Sequence, residues 1–160
     1  MAYTEEQMRQ IVAEYGPCIW RLALMQLRSK HDAEDIYQEV FLRLIRHDPQ
    51  FESPAHQKAW LIRVTVNCCK DLLKKRHRRD LHLEDWDQLP NQPAGNSALY
   101  LALDQLSEKQ RMMIHLYYYE SYKTEEIAQM LEMNASTVRS TLKRARKRLK
   151  DLMEGGFEDV

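Results

Sequence analysis

The chain has 160 residues, of which 44% are hydrophobic and 30% are charged, and its 24 Lys and Arg residues equal its 24 Asp and Glu residues in number. This length suits one medium domain or two small ones, and this composition excludes a wholly disordered chain. The equal totals conceal two basic clusters: residues 70–79 carry six basic side chains and one acid, and residues 139–150 carry seven and no acid. Each cluster is either a solvated helix face or a binding surface for phosphate groups.

The three cysteines are poorly placed for cross-linking. Cys18 stands alone, Cys68 and Cys69 are adjacent, and no CxxC pattern occurs, which favours a reducing cytosol over a disulfide framework. Neither His77 nor His82 has a metal-ligand spacing to a cysteine, so we expect no zinc site and no cofactor. The acidic, polar start of the chain is unlike a signal peptide, and no apolar run approaches the ~20 residues of a membrane span. We therefore expect a cytoplasmic protein without a membrane span.

The first two predicted elements are amphipathic helices. Residues 5–28 have apolar side chains at helical spacing, but Gly16 and Pro17 should bend or break this helix, because proline removes a backbone donor and clashes with the preceding turn. Residues 33–46 form the second helix, with Asp32 as its N-cap. Its continuous apolar stripe comprises Ala33, Ile36, Tyr37, Val40, Phe41, Leu44 and Ile45.

A long third helix is predicted to start at an N-cap serine, Ser53, and a first-turn proline, Pro54, and to run to about Arg79. Its core side comprises Trp60, Leu61, Val64 and Cys68, which leaves Arg63, Asn67, Lys70, Lys74 and Lys75 for another side. Residues 80–97 contain two prolines, a glycine and several acids, among them Glu84, Asp85 and Asp87. This composition is typical of a linker between domains.

The chain beyond the linker is predicted to form a four-helix unit, with helices over residues 98–106, 107–118, 124–131 and 134–153 and a frayed tail at 154–160. Ser107 and Gln110 fit a capping box at the start of the second of these helices. The consecutive tyrosines Tyr117–Tyr119 are compatible with a strand, but their helical flanks favour a helix in which they pack in the core.

Residues 124–149 have the pattern of a helix-turn-helix DNA reader. Two short amphipathic helices flank a tight turn, and the second begins with slim hydroxyl residues and ends in the second basic cluster. Val138 and Leu142 should anchor this second helix to the first one. The turn has Glu132 where glycine is usual, so a left-handed Glu132 should cost about 1 kcal/mol.

The exposed side of the second helix of this motif is the predicted DNA-binding surface. It comprises Ser136, Thr137, Arg139, Ser140, Lys143, Arg144 and Lys147. Arg139 is the first choice for a base contact, since arginine pairs bidentately with guanine. Lys147 and Arg148 suit phosphate contacts instead.

Three motifs, in this order, resemble bacterial sigma factors of the extracytoplasmic-function (ECF) group in the sigma-70 family. Residues 32–44 (DAEDIYQEVFLRL) resemble the polymerase-binding segment, residues 59–71 (AWLIRVTVNCCKD) resemble the −10 recognition and melting helix, and the helix-turn-helix resembles the −35 reader. The resemblance implies an all-α fold of two small helical domains joined by a flexible linker. The domains would be a region 2-like domain over 1–79, the linker over 80–97, and a region 4-like domain over 98–153.

The resemblance also implies partners. A polar and acidic face with Asp35, Gln38, Glu39 and Leu42 would dock on the β′ clamp helices of core RNA polymerase, although these residues by themselves favour a solvated surface. The region 4-like domain would meet the β flap. The acidic linker would thread the RNA path of the polymerase, or it is a mere tether. Factors of this kind are commonly held inactive by an anti-sigma factor, which is a further expected partner.

For the −10 element, the resemblance implies that the loop over residues 51–56 cradles a flipped base and that a basic groove holds the separated strand. Opening DNA requires a surface that binds the unstacked strand better than the duplex. The implied residues are Phe51, His56, Trp60, Arg63, Asn67, Lys70, Asp71, Lys74, Lys75 and Arg78. Trp60 by itself favours a core role because its neighbours are apolar. Arg76 and Arg79 are expected to hold phosphates together with Lys74 and Arg78.

A conventional helix-turn-helix regulator of duplex DNA is the main alternative. Such a regulator has no need of a second basic helix beside a docking face, which favours a promoter-specificity subunit that binds both duplex and single-stranded promoter DNA. The sequence gives little support to an enzymatic function, because no Gly-rich phosphate loop, nucleophile motif or metal-ligand spacing occurs in it. The adjacent Cys68 and Cys69 are more often packing residues than a redox sensor.

Overall fold

Every regular element in the described residues, 3–79 and 97–156 of this computed structural model, is helical. The predicted all-α class is therefore confirmed. The chain divides into two compact units, Met1–Asp85 and Trp86–Val160. The predicted linker over 80–97 lies outside the described residues, except for Ser97, which starts a helix.

Over residues 3–79, the first unit contains three helices: α1 (Glu5–Leu27), α2 (Lys30–His47) and α3 (Pro54–Arg79). Each of them packs against the other two, because each carries an apolar stripe at helical spacing. Ile19 of α1, Val40 of α2 and Leu61 of α3 are buried in the shared core. Burying a side chain of this size contributes about 1.5–3 kcal/mol, so tertiary packing is the main source of stability for these helices.

Helix α1 continues through Pro17, so the predicted break at Gly16 and Pro17 is wrong. An internal proline costs about 3 kcal/mol, but the neighbouring Tyr15 and Ile19 are buried in the core and outweigh this cost. Pro17 itself is exposed. Gly16 has a packing role, because a Cβ at this position would lie only 2.6 Å from the hydroxyl oxygen of Tyr37 on α2.

Helix α2 begins three residues earlier than predicted. Its N-cap is Ser29, whose hydroxyl oxygen accepts a hydrogen bond from the Asp32 N–H at 3.2 Å. The predicted N-cap role of Asp32 is therefore wrong, and its carboxylate is free to bind elsewhere. The predicted apolar stripe is confirmed as far as Leu44, but Ile45 is 51% exposed, because helical rotation carries this last member beyond the packed face.

Helix α3 begins as the sequence predicts. Pro54 is its first residue, and the Ser53 hydroxyl oxygen accepts a hydrogen bond from the His56 N–H at 3.1 Å. This cap satisfies a backbone donor that has no partner within the helix. The local sequence therefore marks the start of α3 correctly.

The second unit contains α4 (Ser97–Gln105), α5 (Glu108–Ile114), a π-helical segment (His115–Tyr119) that continues α5, α6 (Thr124–Leu131) and α7 (Ala135–Gly156). Helix α7 packs against α4, α5 and α6. The predicted capping box is confirmed, since Ser107 and Gln110 exchange side-chain and backbone hydrogen bonds at 3.1 and 3.2 Å. Helix α7 extends beyond the predicted end at residue 153.

The three consecutive tyrosines lie in the π-helical segment and not in a strand, as expected, but their predicted core role fails for two of them. Tyr118 is 54% exposed and Tyr119 is 57% exposed. The backbone N–H of Glu120 donates to the carbonyl of His115, five residues back. This wider turn places His115 and Leu116 in the core, so the tyrosines that follow turn toward solvent.

Helices α6 and α7 form the predicted helix-turn-helix. Glu132 ends α6 in the left-handed conformation, with φ 56° and ψ 50°. The Met133 N–H donates to the Ala128 carbonyl at 2.8 Å, which is the long hydrogen bond of a Schellman cap. Glycine would fill this position without strain, so the glutamate carries the expected cost of about 1 kcal/mol.

Candidate polymerase and nucleic-acid interfaces

The predicted polymerase-docking face lies on the outer side of α2. Asp35, Gln38 and Leu42 are exposed, and their spacing of three and four residues places them side by side on one helix face. Leu42 is 52% exposed. Ile45 extends this strip by one further apolar side chain, which sequence analysis had placed in the core. An acidic end and an apolar centre therefore share one exposed surface, which is a composition suited to a protein partner.

Glu39 differs from Asp35, the other carboxylate among the predicted docking residues, because two arginines hold it, whereas Asp35 has the His31 imidazole 3.7 Å away. It accepts hydrogen bonds from Arg43 at 3.2 Å and from Arg46 at 2.7 Å. The hydrogen bond from Arg43, aided by Arg46, holds the pKa of Glu39 below its usual value. Glu39 therefore presents two arginines along the edge of the face. The spacing of four residues to Arg43 was a sequence signal for this pair.

An aromatic cluster joins the loop before α3 to its first turns. The Phe51 ring lies edge-on to His56, with ring centroids 5.4 Å apart, and to Trp60, with centroids 5.8 Å apart. Nδ1 of His56 accepts a hydrogen bond from the Glu52 N–H at 3.1 Å. Phe51 and Trp60 are half-buried, whereas His56 is exposed. Trp60 thus packs on the core and also contacts the Phe51 ring, which confirms its predicted core role, while its −10 DNA role stays a prediction.

The outer side of α3 is polar and strongly basic. The predicted residues Arg63, Asn67, Lys70, Asp71, Lys74, Lys75 and Arg78 are all exposed. The buried residues Leu61, Cys68 and Leu73 lie on the opposite side, against α1 and α2. The sequence-predicted −10 residues therefore form a continuous basic surface that extends from the aromatic cluster toward the end of the helix.

Arg76 does not belong to this surface, so its predicted phosphate role is wrong. The side chain is buried, with 6% of the residue exposed. Nη1 donates to the Leu27 carbonyl at 2.7 Å, and Nη2 binds the Asp32 carboxylate. Arg76 thereby ties the last turns of α3 to the junction of α1 and α2. The side chain of Arg79 lies outside the described residues.

The three thiols are buried and separate from these surfaces. Burial raises the pKa of Cys69 and that of Cys68 above the usual value of a thiol. Thiolate is the reactive form of cysteine, so burial disfavours oxidation at this pair. The packing interpretation of Cys68 and Cys69 is the one that fits their surroundings.

One group of side chains has the composition of a metal site. Among the described residues, donor atoms of His31, Asp32 and Asp35 lie within 4.8 Å of one another. The Asp32 carboxylate already binds the Arg76 guanidinium, so a cation would have to displace an arginine. The Asp35 carboxylate lies 3.7 Å from His31 Nε2, so both carboxylates of the group already have a partner within the protein.

The recognition side of α7 is exposed, as its sequence pattern predicts. Ser136, Arg139, Ser140, Lys143, Arg144 and Lys147 are exposed, and Thr137 is half-buried. Val138 and Leu142 are buried together with Ile127 and Ala128 of α6, which confirms the predicted anchoring. Helix α7 therefore presents slim side chains in its first turns and basic ones beyond them.

Two contacts around α7 link residues that are distant in sequence, and sequence analysis missed both. Oε1 of Glu125 on α6 is 3.8 Å from Nη1 of Arg139. Nη1 of Arg146 donates a hydrogen bond to the Tyr118 hydroxyl at 3.3 Å. Residues 14 and 28 positions apart meet in this way only because the helices pack, so no local pattern indicated either pair.

Comparisons with known proteins identify the family. Residues 11–79 match the model of sigma-70 region 2, and residues 96–149 match the model of sigma-70 region 4. The chain is 32% identical over 145 residues to the ECF RNA polymerase sigma factor SigL of Mycobacterium tuberculosis. The alignment covers 84% of this chain and 82% of SigL. The chain belongs to the ECF RNA polymerase sigma factors.

This ECF sigma factor has further relatives of the same kind. It is 30% identical over 156 residues to the ECF RNA polymerase sigma factor SigE of Mycolicibacterium smegmatis, an overlap of 90% of this chain but only 60% of SigE. The sigma factor RpoE of Bartonella quintana, solved in complex with the anti-sigma factor NepR, has the same fold. Its TM-score is 0.78 at 23% identity, with 93% of this chain and 98% of that chain covered.

The family model of region 2 covers α2 and α3, and that of region 4 covers α5, α6 and most of α7. The docking face and the basic surface of α3 therefore lie in region 2, and the recognition side of α7 lies in region 4. Among residues 3–79 and 97–156, no helix combines the length and the apolar character that crossing a bilayer requires.

Proposed function

We propose that this ECF sigma factor, a transcription initiation factor by family, binds core RNA polymerase through α2 and directs it to promoters through two DNA surfaces. The recognition side of α7 reads an upstream duplex element. The basic surface of α3 and the aromatic cluster bind the separated strand of the downstream element. The protein has no catalytic step of its own and acts in the cytoplasm, where its polymerase works.

The observation that carries this proposal is the presence of two exposed basic helix faces in two separate units, with the docking face beside one of them. A duplex-binding regulator needs the α7 surface alone. The α3 surface adds an aromatic cluster next to positive charge, and this pairing of rings and cations is how proteins hold unstacked bases. The exposed side chains of Leu42 and Ile45 on α2 supply an apolar contact for a protein partner.

Two further partners follow from the same proposal. Region 4 contacts the β flap, which places α7 over the upstream element. The complex of RpoE with NepR supports an anti-sigma factor as the natural inhibitor. Such an inhibitor would cover the polymerase-docking face or a DNA surface, and it would compete with the polymerase.

Run-off transcription tests the proposal. Purified core polymerase is assayed with and without this sigma factor on a library of genomic promoter fragments. We expect new, discrete start sites that share two upstream elements. If no new transcript forms while the protein still binds duplex fragments tightly, the conventional regulator is the correct reading.

His56 offers a sharper test of the −10 surface. Its Nδ1 holds the loop through the Glu52 N–H, so His56→Ala should weaken holoenzyme binding to single-stranded −10 DNA by about three- to tenfold, the worth of one net hydrogen bond. Competition titration with a labelled non-template strand measures this affinity. His56→Asn keeps an acceptor at the position of Nδ1 and should retain most of the binding.

His56→Gln is the matched control for the helix cap. Glutamine at this position can complete an ordinary capping box with Ser53, but its acceptor is one bond farther out than Nδ1. We expect stability close to that of the native protein together with the reduced strand binding of His56→Ala. If His56→Ala, His56→Asn and His56→Gln all bound the strand as tightly as the native protein, the hydrogen bond between His56 and Glu52 would have no role in −10 binding.

A further inference from the structure

An acidic side chain lies beside the candidate base reader of region 4. Glu125 is in the first turn of α6, and its Oε1 is 3.8 Å from Nη1 of Arg139 near the start of α7. The pair therefore bridges the two helices of the motif. The Arg139 side chain is 56% exposed and that of Glu125 is 70% exposed, so both belong to the surface that approaches DNA.

The contact with Glu125 is made by Nη1 of Arg139 and leaves the other guanidinium nitrogens available for a base. A guanidinium has five N–H donors in a rigid planar fork. Glu125 is paired with Nη1, so Nε and Nη2, the two donors on one edge of the fork, are left for a base. Two parallel donors on one edge match the O6 and N7 acceptors of guanine in the major groove.

Glu125 is well suited to remain ionised in this role. Its own backbone hydrogen bond and one from the Thr124 hydroxyl lower the pKa of Glu125 below its usual value, and Arg139 and Lys123 act in the same direction. Water screens the pair in the free protein. Approach of DNA removes that water and lowers the local dielectric constant, so the carboxylate orients Arg139 most strongly in the bound state.

A carboxylate at this place has two opposite consequences for DNA binding. It repels phosphates, so it lowers the affinity for every duplex regardless of sequence. It also reduces the freedom of the Arg139 side chain before binding, which favours the one orientation that reads a base. We infer that Glu125 is a positioning residue for Arg139 and a specificity determinant of the upstream element.

The inference rests on the proposed function, because it concerns duplex reading by region 4. Its test uses holoenzyme and a panel of duplexes in which each base pair of the upstream element, as defined by the mapped promoters, is replaced in turn. Arg139→Ala should reduce discrimination at one base pair by about ten- to hundredfold. Glu125→Gln should reduce discrimination at that same base pair by about three- to tenfold and should raise affinity for unrelated duplex by about twofold.

Glu126→Gln is the matched control. Glu126 is the next residue of α6, is also exposed, and accepts the Lys123 N–H through Oε1, an atom that glutamine retains. The substitution removes the same charge from the same turn without touching a contact to Arg139. We expect a similar rise in affinity for unrelated duplex and native discrimination at every base pair.

The double variant Glu125→Gln with Arg139→Ala separates positioning from other effects. If Glu125 acts through Arg139, the double variant discriminates no worse than Arg139→Ala alone. Native discrimination by Glu125→Gln, or a loss that adds to that of Arg139→Ala, would overturn the inference while upstream reading stands. Absence of any discrimination by the native holoenzyme would instead overturn the proposed function of region 4.

Discussion

Replacing Arg76 with methionine should lower the free energy of unfolding of the first unit by about 3 kcal/mol, at the low end of the range for breaking a buried ion pair. The substitution leaves the Leu27 carbonyl and the Asp32 carboxylate without their buried donor. The Asp32 side chain is 27% exposed, so water compensates in part and keeps the loss from being larger.

Urea unfolding measures this loss. The protein has three tryptophans, and a Trp86→Phe background leaves Trp20 and Trp60, which both lie in the first unit. Their fluorescence then follows this unit without a signal from the rest of the chain. The midpoint should fall while the slope with urea stays constant, because the substitution changes stability and not the surface exposed on unfolding.

Arg78→Met provides the matched control for this prediction. Arg78 is two residues farther along α3, has the same side chain, and is exposed. Its loss should change the free energy of unfolding by less than about 0.5 kcal/mol, yet it should weaken binding of the −10 strand. If Arg76→Met were as stable as the native protein, the structural role of the buried Arg76 contacts would be contradicted, and the phosphate role would again be the better explanation of this residue.

The second large effect is expected at the docking face. Leu42→Ala and Asp35→Ala should together raise the dissociation constant for core polymerase by at least about tenfold, since buried apolar anchors and their charged neighbours dominate protein interfaces. Both residues are exposed in the free protein, so the free energy of unfolding should change little. Fluorescence anisotropy of labelled sigma factor against core polymerase measures the affinity.

Ionic strength distinguishes the contributions of the two residues. The effect of Asp35→Ala should shrink as salt increases, because ions screen an exposed charge. The effect of Leu42→Ala should persist, because burial of an apolar side chain does not depend on screening. Glu34→Ala is the charge control on the same helix, and it should leave the affinity unchanged if docking is confined to the Asp35 face. Unchanged affinity in the Asp35 and Leu42 variants would remove α2 from the polymerase interface.

Interactions between near neighbours in the chain were predictable from the sequence. Ser53 and Ser107 cap the helices that they were expected to cap, because a serine hydroxyl bonds to a backbone N–H only three residues ahead. The helix-turn-helix was predictable because its two short amphipathic helices and tight turn are local features, and Glu132 adopts the left-handed conformation whose cost was considered for it. The helical spacing of apolar residues likewise determined which side of α7 is buried, with Val138 and Leu142 facing α6.

Several errors concern residues whose surroundings are decided by the fold, whereas the N-cap of α2 was a local error, because Ser29 caps that helix through a hydrogen bond to Asp32. Gly16 and Pro17 were expected to bend or break α1, but the helix runs without a break through both residues and packs against α2 and α3. Tyr118 and Tyr119 were expected in the core, but the π-helical turn rotates them outward. Ile45 was also expected on the packed face of α2. It is exposed, because it lies at the end of the helix, where the helical rotation carries it past the edge of that face.

Local sequence by itself determined the helical class, the main helix boundaries, the recognition motif and the positions of the two basic helices. Only the tertiary structure decided which member of a basic cluster is surface and which is core, because Arg76 meets Asp32, which lies 44 positions away in the chain. The same holds for Glu125 and Arg139, which come together through the packing of α6 on α7. Hydrogen bonds within a turn follow from neighbouring residues, whereas the partner of a long charged side chain depends on where the whole fold places the opposite charge.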